Sequence, residues 1–438
     1  MSTETQAETE QVPSPGVVFS NAYLDELVAN VRARPSPYSQ LVGSGSLPSA
    51  SVDPLKLLEQ NPSVVAEEDV ELLASAITAA LGLPTKTDAV QYTLALTVEA
   101  VTANASFATS LLGKADTVSA LTAALVAEEA TAVLAAKVLV IGICSGPAPS
   151  SAIVAVFDYA GKLVASEDVN CQDLGAQAFG AVGAVRVARP LFWKSHESYV
   201  PSLLAVLRGA KGNLQLQYYT LFAFWALTFD RSIAAAINAK YDLVTPVLEV
   251  LKTAIKEKII RVSISTIQHL VSAPGKANVD AILLAGGLPV LQGLALRKWT
   301  DEDISTSLQA IVAELEEHNA YMSTFDFYLV ELNSGRLKWG TAHKELDFWK
   351  RNADLFREDN WKLLKQLGTI ISASTDPTVL AVACNDVTYL VTEQPAALKV
   401  LEGMGVKAKI MELMANSDNE LKYQALKATQ VFVAKTFA

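Results

Sequence analysis

The residues most able to do chemistry are few and scattered. The four histidines, His196, His269, His318 and His343, have no second His or Cys at the short spacings a zinc site needs. Each is read as a structural or surface residue. The three cysteines, Cys144, Cys171 and Cys384, are odd in number, far apart and form no CxxC pair. That excludes a disulfide scaffold and favours buried free thiols in a reducing compartment. No GxSxG elbow occurs. The Gly-Lys pairs beginning at Gly113, Gly161 and Gly275 are followed by Ala115, Leu163 and Ala277, whereas a phosphate-binding P-loop requires Ser or Thr there. The acidic run Glu67, Glu68, Asp69 and Glu71 reads as a solvated helix start, favoured by the helix dipole. These residues point away from an enzyme, with no metal, cofactor or small-molecule substrate expected.

Three of the six tryptophans, Trp339, Trp349 and Trp361, lie close together in sequence. They can staple a linker onto a helical stack or anchor an interface, since Trp is enriched at binding hot spots.

The elements behind these residues are expected to be helical. The chain has 438 residues, 51% of them hydrophobic, rich in Ala, Leu and Val, with long runs free of Gly and Pro. Its net charge of -11 argues against nucleic-acid binding, which needs a basic face. The acidic excess sits before Glu331; the rest is near neutral. The two ends therefore meet different surfaces, or the longer one has an ordinary solvated acidic face.

A repeat of about 42 residues organises the chain. Asp376 aligns with Asp418, Val379 with Leu421 and Ala383 with Ala425; further upstream, Leu216 aligns with Ile259 and Leu227 with Leu270. Val379, Ala383, Val387, Leu390 and Val391 make one helical stripe, with Asp376 placed as N-cap and Pro377 in the first turn. The glycines in LLAGGLPVLQGL (residues 283–294) suit a sharp turn between helices. A period near 42 with two or three helices per unit is the HEAT or armadillo signature.

The expected fold is all-α: a HEAT/armadillo-like α-solenoid in two parts joined by a linker. Residues 1–20 read as a disordered acidic tail, 21–318 as the N-terminal domain, 319–343 as the linker and 344–438 as the C-terminal domain. Within the first, residues 21–34 read as a short amphipathic helix and 35–54 as a Pro/Ser/Gly-rich connector. The start has no Lys or Arg before Arg32, so neither a signal peptide nor a transit peptide is expected. The uncharged stretch 138–157 is broken by Gly146, Pro147 and Pro149 and reads as two buried helices, not a membrane span. A solenoid groove admits a second reading, an armadillo-type adaptor for protein cargo. The Trp-then-Asn ladder of nuclear import adaptors is missing, because the residues four after each Trp are Glu197, Phe229, Asp303, His343, Ala353 and Lys365.

Residues 324–339, TFDFYLVELNSGRLKW, followed by HKELDFWKRN (343–352), resemble the H-subunit family of V-type proton ATPases. The similarity continues through NWKLLKQL, DPTVLAVACNDVTYLV and YQALKATQ, and reaches back to KEKIIRVSISTIQHL and LRKWTDEDI. NVRARPSPY (30–38) is a faint echo of the family's start, without the tryptophan usual there. The resemblance implies a non-catalytic regulatory subunit. Its N-terminal domain would hold the peripheral stalk of the catalytic sector, and its C-terminal domain would bridge toward the membrane sector. When the catalytic sector detaches, the C-terminal domain would block ATP hydrolysis. The implied location is cytoplasmic, peripheral on the cytosolic face of vacuolar or other endomembranes through the pump, with no direct membrane insertion. Candidate partner contacts are Asp326, Arg336 and Trp339 around the joint, Ser372 and Asp376 in the SASTD turn, and the charged Lys407 and Lys409.

Overall fold

The computed structural model describes residues 19–83 and 85–436, without the side chain of Tyr321. The acidic tail expected over residues 1–20 lies outside the described residues except for Phe19 and Ser20. Helices carry the described chain, and no strand occurs among these residues.

The repeat has a direct structural counterpart. Long helices begin at Thr87, Glu129, Val169, Leu214, Glu257 and Glu302, 40–45 residues apart, with shorter helices between them. Thr87–Ala103 packs on Glu129–Ser145, that helix on Val169–Ala184, that on Leu214–Thr228, and that on Glu257–Val271. Stacking like elements on like is the solenoid principle: each repeat buries its apolar face only against its neighbours. The stacked helices are buried almost all round; Ala132 through Ile143 forms an unbroken buried run. Small residues permit the close approach. A Cβ on Gly180 would fall 2.7 Å from Cδ1 of Phe222, and one on Gly175 would fall 2.9 Å from the Ala160 carbonyl oxygen.

The residues divide into two compact units. One runs up to Gly275 and includes residues 294–309; the other comprises residues 276–293 and everything from Ala310 onward. In the second, Pro377–Glu393 packs on Asn419–Thr436, again one repeat apart. Asp376 caps the former helix as expected, accepting from the amides of Thr378 at 2.7 Å and Val379 at 3.3 Å. Gly286, at φ 69°, turns Ala277–Leu284 into Gly287–Ala295 with an 82° bend, the sharp turn that the paired glycines suggested. Gly405, at φ 75°, starts Val406–Leu413 in the same way.

Residues 319–343 are themselves packed. Thr324–Ser334 is a helix closed at Gly335 in the left-handed conformation, and Thr341–Lys344 forms one further turn. Tyr328, Leu332 and Leu337 are buried in the core cluster of the second unit together with Trp349, and Trp339 and Trp361 pack against it. The three tryptophans thus pack together on the second unit, as the staple reading of them expects.

Two expectations need correction. Residues 35–54 are more ordered than a connector: Tyr38–Gly43 is helical, and Tyr38 is fully buried with its hydroxyl 3.1 Å from Thr93 Oγ1. Prolines and serines there break helices into short pieces without preventing them. Of the three free thiol residues, only Cys384 is buried; Cys171 is half-buried and Cys144 is exposed, with its Sγ turned onto the Ala181 carbonyl. The 138–157 stretch divides as expected into Glu129–Ser145 and Ser150–Val164. No single helix among the described residues is long and apolar enough to cross a membrane.

Candidate interaction surfaces and a buried charged cluster

The contact residues expected from sequence all lie in the second unit, and each already has a local structural part. Asp326 forms a capping box with Ser323: the Ser323 amide and hydroxyl donate to its carboxylate at 2.8 and 2.6 Å, holding that carboxyl below its ordinary pKa. The Arg336 amide donates to Ser334 Oγ at 3.1 Å. Trp339 is partly buried, with the Lys344 ammonium 5.8 Å from its ring centre. Ser372 Oγ donates to the Gly368 carbonyl at 3.0 Å. Lys407 pairs with Glu402 at 2.6 Å and Lys409 with Glu412 at 3.6 Å. Asp376 is a helix N-cap and Asp326 is the N3 partner of the N-cap Ser323, so each has a conformational part within its own helix.

Sequence reasoning missed the most concentrated chemistry in the second unit. His343 is 1% exposed and faces two carboxylates. Its Nδ1 lies 2.9 Å from both oxygens of Asp386, and its Nε2 lies 2.5 Å from Glu331 Oε2. The Tyr328 hydroxyl donates to Asp386 at 3.3 Å, and the Asn385 side-chain amide donates to the His343 carbonyl at 2.6 Å. Burial alone would lower the imidazole's pKa, but the Asp386 and Glu331 carboxylates outweigh it and push it up to about 9. The two carboxylates thus favour the protonated ring, which can donate from both nitrogens. The pair joins Thr341–Lys344 to Pro377–Glu393, so the cluster clamps residues 328–343 onto the stack. A signal was available: His343 and Asp386 are 43 residues apart, one repeat.

The other histidines are also tied. His196 Nδ1 meets the Tyr241 hydroxyl and its ring lies against Trp193. His318 Nε2 is 2.6 Å from Asp280 Oδ1. His269 Nδ1 is 3.0 Å from Thr228 Oγ1, and burial, aided by the charge of Arg189, drives its pKa down to about 4. Among the described residues no group of three metal-capable side chains is placed to hold an ion.

In the first unit, the N-terminal segment is bound down by the long helices. Ser20 exchanges two hydrogen bonds with the Gln177 side chain, at 2.8 and 2.9 Å. Asn21 donates to Asp173, Arg32 pairs with Glu99 at 3.1 Å, and Arg34 reaches Asp88 and Gln91. Phe19, Leu24 and Val31 are fully buried beneath it. Two surface clefts of about 500 Å³ recur at equivalent places in the repeat. One is lined by Leu81, Thr87, Ala124 and Thr131, the other by Val164, Val169, Gly209 and Asn213. Their walls are mostly small and apolar side chains.

Comparison with known proteins adds what geometry does not supply. Two models of the V-ATPase H-subunit family match the chain, one over residues 22–315 and the other over 321–437. The chain is 32% identical over 236 residues to a V-type proton ATPase H subunit of Drosophila melanogaster, covering 53% of this chain and 50% of the relative. It is 34% identical over 230 residues to that of Dictyostelium discoideum, covering 52% and 51%. The alignment thus spans about half the length of these curated relatives. Among solved structures, an engineered protein superposes with a TM-score of 0.48 at 16% identity, covering 94% of this chain and 98% of the other. A designed armadillo repeat protein does so at 0.45 and 16%, covering 55% and 98%.

Proposed function

The chain belongs to the V-ATPase H-subunit family, and from that premise we propose that it is a non-catalytic regulatory subunit of a V-type proton pump. In this reading its first part binds the peripheral stalk, its second part bridges toward the membrane-sector side, and residues 319–343 join them. The assembled pump needs it for activity; a detached catalytic sector is silenced by it. It sits on the cytosolic face of the membrane through the pump and meets no lipid directly. The observation that carries the reading is that both family models match, one on each part of the chain.

The physical fit supports it. Stopping a rotary machine takes no bond chemistry, only a tie between a moving and a fixed element. Two separately packed stacks can each hold one element, and joining them raises the effective concentration of the second contact. A switch between the assembled and detached states then needs contacts that differ between the two. To test it, the purified chain is added to pumps assembled without their own H subunit, and to detached catalytic sectors. Restored ATP-driven proton transport in the first and suppressed ATP hydrolysis in the second are expected. No change in either assay overturns the proposal.

A further inference from the structure

We propose that Ser36 is a phosphorylation site for a proline-directed protein kinase, and that the phosphate releases the loop carrying it from the Val52–Gln60 helix. The sequence has three Ser/Thr-Pro steps, at Ser14-Pro15, Ser36-Pro37 and Thr245-Pro246. Ser14 lies outside the described residues. Thr245 sits in the first turn of Val244–Thr253, with its hydroxyl donating to Asp242 at 2.8 Å. Ser36 stands outside any helix. Residues 33–37 join Ala22–Arg32 to Tyr38–Gly43, and Ala33, Pro35 and Ser36 are exposed. A residue before proline is driven toward extended backbone, the form in which a kinase groove takes its substrate.

The Ser36 hydroxyl already holds a place in the fold. Its Oγ donates to Glu59 Oε2 at 2.9 Å, and the Tyr92 hydroxyl donates to the other oxygen of the same carboxylate. Tyr92 packs edge-on against the buried Tyr38, with ring centres 5.8 Å apart. One carboxylate therefore ties the loop both to its own helix, Val52–Gln60, and to Thr87–Ala103.

In the transfer, Ser36 Oγ attacks the γ-phosphorus of ATP. The new O–P bond forms as the bond to the β-phosphate oxygen breaks, ADP leaves with that electron pair, and the hydroxyl proton passes to the kinase's base. The product has no hydroxyl hydrogen left to donate and carries a charge of about −1.5 to −2. A donor 2.9 Å from Glu59 thus becomes an acceptor-only anion beside a carboxylate. The hydrogen bond is lost and like-charge repulsion replaces it. The cations nearest in sequence are engaged elsewhere. Arg34 donates to Asp88 Oδ1 at 2.9 Å and to Gln91 Oε1 at 2.7 Å, and Arg32 pairs with Glu99 at 3.1 Å. The site is defined without reference to the pump, and its test needs no pump.

The full chain is incubated with ATP and a mitogen-activated protein kinase, and the modified residues are mapped by mass spectrometry. Amide exchange is then followed in the natural, Ser36→Ala and Glu59→Gln chains. Phosphate on Ser36 is expected in the natural chain, with none at this position in Ser36→Ala. Phosphorylation should speed exchange in Tyr38–Gly43 at least tenfold and leave Pro377–Glu393, in the other unit, unchanged. Glu59→Gln puts a neutral amide in place of the repelling carboxylate and should cut that acceleration at least threefold. Failure to modify Ser36 in the folded chain, or modification at Ser14 or Thr245 alone, overturns the proposal. So does a phosphorylated chain whose Tyr38–Gly43 exchange is unchanged or slowed, the latter meaning that the arginines capture the phosphate. Equal acceleration in Glu59→Gln overturns it as well.

Discussion

Nδ1 of His343 lies 2.9 Å from both carboxylate oxygens of Asp386, a residue one helical repeat further along the chain. Both are almost completely buried, so neither charge has water to fall back on. Removing one partner of a buried pair strands the other, at a cost of about 3–5 kcal/mol. His343→Gln and Asp386→Leu should each destabilise the second unit by that order. The combined variant should cost less than the two single effects added together. Thermal unfolding with amide exchange in Pro377–Glu393 as local reporter checks this; simple additivity would show the pair to be uncoupled.

Two histidines give stability opposite pH dependences. His343 has a folded pKa raised to about 9. Its contribution is therefore complete below the unfolded value of about 6.5 and is lost as pH rises through 9. His269 has a folded pKa lowered to about 4. Its neutral form belongs to the folded state, so its contribution is complete above the unfolded value and is lost as pH falls from there through 4. Melting temperature against pH should flatten on the alkaline side in His343→Gln and on the acid side in His269→Gln. Identical profiles for the variants and the natural chain would refute both assignments.

Gly175→Ala tests the closeness of the stacked helices. The new Cβ would sit 2.8 Å from Val164 Cγ1 and 2.9 Å from the Ala160 carbonyl oxygen, and the backbone oxygen cannot rotate aside. Overpacking of this kind costs about 1–3 kcal/mol. Gly209→Ala, with nothing within 4 Å of the new atom, should instead gain up to about 1 kcal/mol. Denaturant unfolding followed by helical circular dichroism should show the opposite signs.

Asp376→Ala should cost about 1 kcal/mol by stripping the N-cap of Pro377–Glu393. Lys407→Ala, which removes an exposed ion pair, should stay within about 0.5 kcal/mol. Any larger effect of Lys407→Ala on pump assembly would then be a binding effect. Asp376→Ala has to be corrected for its stability loss before the same conclusion is drawn.

The helical repeat was legible because it is written in apolar spacing. Val379, Ala383, Val387 and Leu390 mark a buried stripe whichever neighbour covers it, and Asp376 with Pro377 announces a helix start by local geometry alone. The glycines before Leu288 likewise revealed their turn. Residues 38–43 were not legible, because turn-forming prolines and serines masked a six-residue helix whose Tyr38 is held by tertiary burial.

Polar partnerships were the least legible part, although they keep the same period. Asp158 with Tyr199, Asp173 with Gln215, Thr228 with His269, Arg261 with Asp303 and His343 with Asp386 all meet 41–43 residues apart. Spacing alone does not say which of the many polar residues one period apart face each other. That depends on each helix's rotation about its axis, and side-chain packing decides the rotation.

By itself, then, the sequence determined an all-helical repeat, its period, several caps and the family, because these rest on local propensity, on apolar periodicity and on shared residues. Only the tertiary structure decided that His343 lies between the carboxylates of Asp386 and Glu331 and that Tyr328, Leu332 and Leu337 belong to a core. Those facts depend on which surfaces meet, and burial and electrostatic surroundings do not exist until they do.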